Sequence, residues 1–362
     1  MFPKLKIGNL TASVPIIQGG MGVGISISGL AAAVANEGGI GVISSVALGA
    51  MKNAKAKLRA ENLISLKEEI AKAKAKTSGI LGMNVMVAAA DFEELILTGI
   101  KSKIDIIFIG AGLPTKLPAI FNSEYVSNLK TKLAPIVSSA RAAKLIFKTW
   151  EKKYNFVPDA VVVEGPKAGG HLGFHVDQID DPRFSLEKLI PEVCAMILPF
   201  KKKYGKDIPV IAGGGIYSGD DIAKIMKLGA AGVQMGSRFV ATEECDASQE
   251  FKDQFINCEK SDISLIKSPV GLPGRAIYNQ FLDQVKSGLR KPVFCPWQCL
   301  KSCKMNDSLY CIADALLNAR NGNMEEGFCF AGSNAYRIDK LMSVKDLVSE
   351  LRLGFNNFLN KS

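Results

Sequence analysis

The dominant pattern in this sequence is a repeat in which an apolar run leads into a glycine-rich or polar turn and then an amphipathic segment. Eight apolar runs follow it, at residues 14–18, 40–44, 80–87, 104–109, 134–138, 160–164, 209–212 and 232–235. Helical segments separate them, at 29–36, 63–76, 92–101, 139–152, 186–204 and 220–228. Such apolar runs are typical of strands buried on both faces, and their alternation with helices indicates parallel strands. Eight units of this kind predict an α/β fold, a closed (β/α)₈ TIM barrel.

The chain is longer than one barrel needs. It has 362 residues, whereas a barrel of this kind takes roughly 250. The strand pattern ends near residue 240, and segments 314–321 and 344–353 are typical of helices. We therefore expect a barrel at 1–245 and a largely helical C-terminal elaboration at 246–362, packed on the barrel.

Charge and hydropathy exclude several functional classes. The 45 Lys and Arg outnumber the 35 Asp and Glu, but many of the lysines alternate with alanine at 52–76, as on a solvated helix face. The sequence contains no basic patch interleaved with aromatic residues, which is the pattern that would indicate nucleic-acid binding. No run of 18 apolar residues and no secretory-type start are present. We expect a cytoplasmic protein that does not bind membranes.

Glycine-rich turns follow several of the predicted strands at the end where barrel active sites lie. QGGMGVG follows the first strand, residues 213–215 follow the seventh, and Met235, Gly236 and Ser237 follow the eighth. Loops after the last two strands often build a phosphate site with a short helix, where backbone amides and hydroxyls bind phosphate oxygens. No dinucleotide fingerprint or P-loop motif accompanies them. The pattern predicts a phosphate site.

Three polar residues are candidates for the chemistry. Imidazole suits proton transfer near neutral pH, and both histidines of the chain, His171 and His175, lie on the glycine-rich loop after the sixth strand. We expect His171 to be functional and His175 to be a bystander. Asn84 interrupts an apolar strand, so it needs a cofactor edge or an internal polar partner. Glu164 ends the sixth strand, where it either contacts a cofactor, orients a neighbour or forms an ion pair.

The motifs PIIQGGMG, GMNVM, VVVEGPKAGGHLGFH, PVIAGGGI, AAGVQMGSRF and SPVGLPGRAIYNQF occur in this order along the chain. In this combination the sequence resembles the nitronate monooxygenase (2-nitropropane dioxygenase) family, which is related to the flavin-dependent enoyl-acyl-carrier-protein reductases. The resemblance runs from about residue 10 to about residue 345. Lys167 departs from it, because many members carry an acidic residue before AGGH.

The resemblance implies a barrel that holds non-covalent FMN at the strand C-termini, with His171 as the catalytic or substrate-binding group. The flavin contacts that it implies fall on Gly20, Met21, Asn84, Glu164, Gly169, Gly170, Gly213, Gly215, Gly236 and Ser237. From the same loops we add Gly22, Ala168, Gly214 and Met235 to the expected cofactor site.

The resemblance leaves the reaction open. Oxidation of alkyl nitronates with O₂ is the first hypothesis, and NAD(P)H-dependent reduction of an enoyl thioester is the alternative. A non-catalytic flavin- or phosphate-binding barrel is a remote third. We expect a small-molecule substrate, with NAD(P)H or an acyl carrier protein as candidate partners and a homodimer as the candidate assembly.

A cysteine-rich segment is the remaining feature. Cys295, Cys299 and Cys303 are spaced four residues apart, which would place their thiols on one face of a helix, and Cys311 follows eight residues later. Four thiolates can hold Zn²⁺ or an iron–sulfur cluster, but this spacing matches neither the usual zinc pairs nor ferredoxin motifs. Free thiols in a reducing compartment are the simpler interpretation, and no metal ligand is assigned.

Overall fold

The computed structural model describes residues 2–52, 58–292, 295, 297–301, 303–304 and 307–361. In chain order its strands are β1 (Leu5–Ile7), β2 (Leu10–Ala12), β3 (Ile16–Gln18), β4 (Ile40–Ser44), β5 (Ile80–Met86), β6 (Ile106–Gly110), β7 (Lys132–Val137), β8 (Val161–Glu164), β9 (Gly170–His171), β10 (Val210–Gly213), β11 (Gly232–Met235), β12 (Ile263–Lys267), β13 (Pro273–Ile277) and β14 (Cys329–Phe330). Its helices are α1 (Ser28–Asn36), α2 (Leu58–Lys76), α3 (Phe92–Lys101), α4 (Ser123–Ser127), α5 (Ala140–Tyr154), α6 (Leu186–Tyr204), α7 (Gly219–Lys227), α8 (Ser237–Val240), α9 (Gln249–Ile256), α10 (Gln280–Lys286), α11 (Ile312–Arg320) and α12 (Val344–Lys361).

Eight parallel strands form a closed barrel, as the sequence predicts. They follow the order β3, β4, β5, β6, β7, β8, β10, β11, and β11 pairs with β3 to close the ring. Every residue of β4 and β6 is buried, which explains why these strands are continuous apolar runs. The (β/α)₈ prediction is confirmed.

Two apolar layers hold the barrel together. The inner layer joins strand residues such as Val42, Phe108 and Val162, and it also contains Leu5 and Ile7 of the N-terminal hairpin. Because this hairpin shares the inner layer, it covers the amino-terminal end of the barrel. The outer layer packs the helices against the strands, with Trp150 and Phe147 of α5 fully buried.

The C-terminal region packs over loops at the opposite, carboxyl end of the barrel. A separate apolar cluster joins Phe281, Tyr310 and Phe328 of this region to Val23 and Ala47, which lie in the loops after β3 and β4. The predicted helices form here as α11 and α12. Within the described residues, no helix is long and apolar enough to cross a membrane.

The structure adds strands that the sequence pattern did not indicate. Strands β12, β13 and β14 form an antiparallel sheet together with β9, which lies on the histidine loop. The C-terminal region is therefore partly a sheet, and this sheet is anchored to the candidate site.

The helical interpretation of the cysteine spacing is wrong for the described residues. Among those between Gly288 and Cys311 no α-helix forms, and α11 begins only at Ile312. The segment instead bonds to the loop after β5: the Ala90 amide donates to the Cys299 carbonyl at 3.0 Å, and the Lys301 amide donates to the Ala88 carbonyl at 2.9 Å. Backbone pairing with this loop replaces the helix.

A buried carboxylate joins the C-terminal region to the first barrel helix. Asp246 accepts hydrogen bonds from the amides of Ile27, Gly29 and Leu30 at 3.0 to 3.1 Å, which caps the start of α1. These amides have no partner within the helix, so the carboxylate supplies acceptors that the local sequence lacks. Burial nevertheless raises the pKa of Asp246.

We expect Asp246→Ala to lower the free energy of unfolding by roughly 2–3 kcal/mol, because the capped amides lose their acceptor. Asp246→Asn keeps one acceptor oxygen and should lose less. Urea unfolding followed by circular dichroism measures both variants. A loss below about 0.5 kcal/mol in the alanine variant would show that the cap contributes little.

Candidate functional site

A cavity of about 270 Å³ opens at the carboxyl ends of the barrel strands. It is lined by every residue that the sequence assigned to the site: Gly20, Met21, Gly22, Asn84, Glu164, Ala168, Gly169, Gly170, His171, Gly213, Gly214, Gly215, Met235, Gly236 and Ser237. His175, the expected bystander, is exposed and does not belong to this lining. The structure thus brings residues from the ends of five strands into one cavity.

The loop after β3 approaches β5 so closely that only glycine fits at its centre. A Cβ atom at Gly20 would lie 2.4 Å from the Cβ atom of Asn84. The amide of Asn84, which lines the cavity, offers both a hydrogen-bond donor and an acceptor. Close backbone approach and one mixed polar group are features that suit a flat heteroaromatic ligand.

The loop after β10 turns in a conformation that favours glycine. Gly214 and Gly215 have φ angles of +98° and +79°, and a Cβ at Gly214 would lie 2.9 Å from the Ala168 amide nitrogen. At the end of β11, by contrast, Gly236 faces open space. A Cβ there would meet only the Met21 sulfur, at 3.6 Å.

His171 is held by the C-terminal region. Its strand β9 pairs with β13, and its Nε2 atom lies 2.7 Å from the Ser268 Oγ atom. The imidazole and the Phe330 ring pack edge to face, with their centroids 4.9 Å apart. Burial lowers the pKa of His171 from 6.5 to about 4, so the ring is neutral near pH 7.

Glu164, the last residue of β8, responds to burial in the opposite sense. Desolvation raises the pKa of its carboxyl group to about 7. A large fraction of this side chain is therefore protonated at neutral pH and can donate a hydrogen bond. Neutral forms of both His171 and Glu164 make the cavity less charged than its residue types suggest.

Several residues of the site were missed by the sequence analysis. Ser44 and Gly110 end barrel strands, so the rule that active sites lie at strand ends could have identified them. Phe330, Gly332 and Asn334 come from the C-terminal region, and their local sequence carries no signal of this kind.

The cysteine-rich segment lies outside this cavity lining. All eight cysteines are free, and the described residues contain no group of three or more His, Cys, Asp or Glu that could hold a metal ion. Burial, together with the nearby thiols of Cys311, Cys295 and Cys303, raises the pKa of Cys299 to about 12. Its thiol is protonated at neutral pH.

Comparisons with known proteins agree with the fold. Residues 4–354 match the family model described as nitronate monooxygenase. A probable nitronate monooxygenase from Staphylococcus aureus (strain Newman) is 26% identical, and the alignment covers 76% of this chain and 78% of that protein. It is similar in sequence along most of its length.

Solved structures are similar along nearly the whole chain. FabK from Thermotoga maritima is 25% identical, with a TM-score of 0.74 and coverage of 97% of this chain and 95% of that one. A nitroalkane oxidase from Streptomyces ansochromogenes is 20% identical, with a TM-score of 0.72 and coverage of 97% and 98%, and shows the same fold. The family match is to enzymes, so the non-catalytic alternative does not hold. The chain belongs to the nitronate monooxygenase family and is a flavin-dependent oxidoreductase.

Proposed function

We propose that this protein binds FMN and oxidises alkyl nitronates with O₂. The observation that carries the proposal is that a neutral, buried His171 lines the same cavity as the glycine loops after β10 and β11. Membership of the nitronate monooxygenase family supports the choice of reaction.

The residues present fit FMN. The open space at Gly236 leaves room for a phosphate group, the glycine turn at 213–215 lines the same cavity, and Ser237 adds a hydroxyl. Glu164 is a buried polar group at the cavity wall that ribityl hydroxyls would satisfy. Asn84, beside Gly20, would meet a polar edge of the isoalloxazine ring. In this assignment the phosphate end comes from the loops after β10 and β11, and the ring end comes from the loop after the neighbouring β3 and from β5.

Bound FMN would supply the electron chemistry, taking electrons from the substrate and delivering them to O₂. The protein's part is to bind and orient the nitronate anion. His171 Nε2 forms a hydrogen bond with the Ser268 hydroxyl, so Nδ1 is the ring nitrogen that can bind the substrate. If the Ser268 hydroxyl donates to Nε2, Nδ1 keeps its proton and donates to a nitronate oxygen. Phe330, Met86 and Val46 line the cavity and would contact the alkyl group.

Enoyl-thioester reduction is the second candidate function. FabK from Thermotoga maritima is an enoyl-acyl-carrier-protein reductase and is 25% identical along nearly the whole chain, which favours this function. Lys167 at the exposed margin of the cavity would suit an anionic group of a reduced pyridine nucleotide or of a carrier-linked thioester. Under this function His171 would position the thioester rather than bind an anion.

Two assays on the same preparation separate the candidates. One follows O₂ consumption with propionate 3-nitronate, and the other follows NADH and NADPH oxidation with a crotonyl thioester. We expect turnover in the first and none in the second. Reductase turnover without nitronate oxidation would replace the proposed reaction with the second candidate.

Replacing His171 with Asn should lower kcat/KM for the nitronate by roughly 10- to 100-fold while FMN stays bound, because the variant loses the Nδ1 donor that binds and orients the anion. His175→Asn is the matched control, since His175 is exposed and lies outside the cavity lining. Steady-state kinetics and flavin absorbance are measured for both. Unchanged turnover in His171→Asn would remove His171 from the mechanism, and loss of flavin would make it a cofactor ligand.

The pH dependence should reflect the buried imidazole. The neutral form of His171 predominates above its pKa of about 4, so His171 should contribute no acid limb to kcat/KM near 6.5, and any limb from Glu164, with its pKa of about 7, should persist in His171→Asn. A limb caused by His171 should appear only as the pH approaches about 4. A limb near 6.5 that is present in the wild type and absent from His171→Asn would contradict a neutral, buried His171. Circular dichroism at each pH establishes that the fold persists.

Gly236 offers a steric test of the cofactor site. Gly236→Ala adds a methyl group at ordinary contact distance from Met21 and should bind FMN normally. Gly236→Arg extends into the same space and should abolish binding without unfolding the barrel, because φ at Gly236 is −110°, which any residue adopts. Flavin content and thermal unfolding are the measurements. Normal flavin content in the arginine variant would place the phosphate elsewhere.

A further inference from the structure

The loops after β10 and β11 are tied to one C-terminal segment, residues 332–337. The Gly332 amide donates to Ser237 Oγ at 2.9 Å, and Asn334 Nδ2 donates to the Gly215 carbonyl at 2.6 Å. The Tyr217 hydroxyl donates to the Arg337 carbonyl. Both loops that would hold the phosphate therefore depend on contacts from outside the barrel.

A stack of side chains joins the same two loops directly. Tyr217 follows the glycine turn of β10, and Arg238 follows Ser237. The guanidinium carbon of Arg238 lies 4.3 Å from the centre of the Tyr217 ring, and that of Arg337 lies 4.1 Å from it. Both guanidinium groups therefore pack against the Tyr217 ring. Cation–π attraction favours this arrangement.

Glu350 of α12 closes the stack. Its Oε1 atom lies 2.7 Å from Nη2 of Arg238, whose side chain is only 8% exposed. A buried guanidinium needs such a partner, because an unpaired buried charge is strongly destabilising. Through Nη2 Arg238 pairs with Glu350, and through its guanidinium face it packs against Tyr217, so it links the loop after β11 to α12 and to the loop after β10.

We propose that the stack of Arg238, Tyr217 and Arg337, closed by Glu350, positions the two loops for the phosphate group of the flavin. In this arrangement the C-terminal region determines how tightly the phosphate is held, although the loops belong to the barrel. The inference rests on the proposed FMN site and adds residues that position the two loops through contacts with one another.

Comparing FMN with riboflavin, which lacks the phosphate, tests this role. Full-length protein is freed of flavin and titrated with each ligand, and binding is followed by flavin fluorescence. Glu350→Gln and Tyr217→Leu should each raise the Kd for FMN roughly tenfold and leave the Kd for riboflavin unchanged. Tyr217→Phe keeps the ring but loses the hydrogen bond to the Arg337 carbonyl, so it should raise the Kd for FMN less than Tyr217→Leu does.

Glu326→Gln is the matched control. Glu326 is also half-exposed and pairs with an arginine, Arg290, that lies over an aromatic ring, Phe281. Its loss should change neither Kd. Unchanged FMN binding in Glu350→Gln and Tyr217→Leu overturns the inference, as does an equal loss for riboflavin, which would indicate general loosening. A wild-type protein that binds neither flavin overturns the proposed function together with this inference.

Discussion

Closure of the parallel barrel is the constraint on which the site depends. When β11 pairs with β3, the strand ends meet at one rim, and the Gly19 amide donates to the Met235 carbonyl at 2.8 Å across the junction. Residues more than 200 positions apart in sequence thus become neighbours. Because the N-terminal hairpin shares the inner apolar layer at the other end, the cavity lies at the carboxyl rim.

The C-terminal region converts this rim into a desolvated site. It contributes Phe330 and Ser268 beside His171, and it packs its own apolar cluster over the loops after β3 and β4. Burial acts in opposite directions on the two titratable groups: the pKa of His171 falls to about 4 and that of Glu164 rises to about 7. Under the proposed function, a nitronate would therefore meet a neutral imidazole rather than an imidazolium.

Sequence patterns predicted the barrel well, because its strands are predominantly apolar and are bounded by turn residues. They also located the glycine loops, since strand ends carry the site in this fold. They failed for β12, whose alternation of half-buried and exposed residues lacks a clear apolar face. Ser268 was missed as the partner of His171 because 97 positions separate them, and their contact exists only once β13 pairs with β9. The cysteine spacing was misread as helical because hydrogen bonds to the loop after β5, not local periodicity, determine the backbone there.

The proposed FMN site places the phosphate of a mononucleotide flavin at the glycine loops after β10 and β11. The most direct measurement is to release the chromophore of the purified full-length protein by heat and identify it by chromatography and mass. The account predicts FMN, at close to one per chain. FAD, unphosphorylated riboflavin or a colourless protein that takes up no FMN would contradict it.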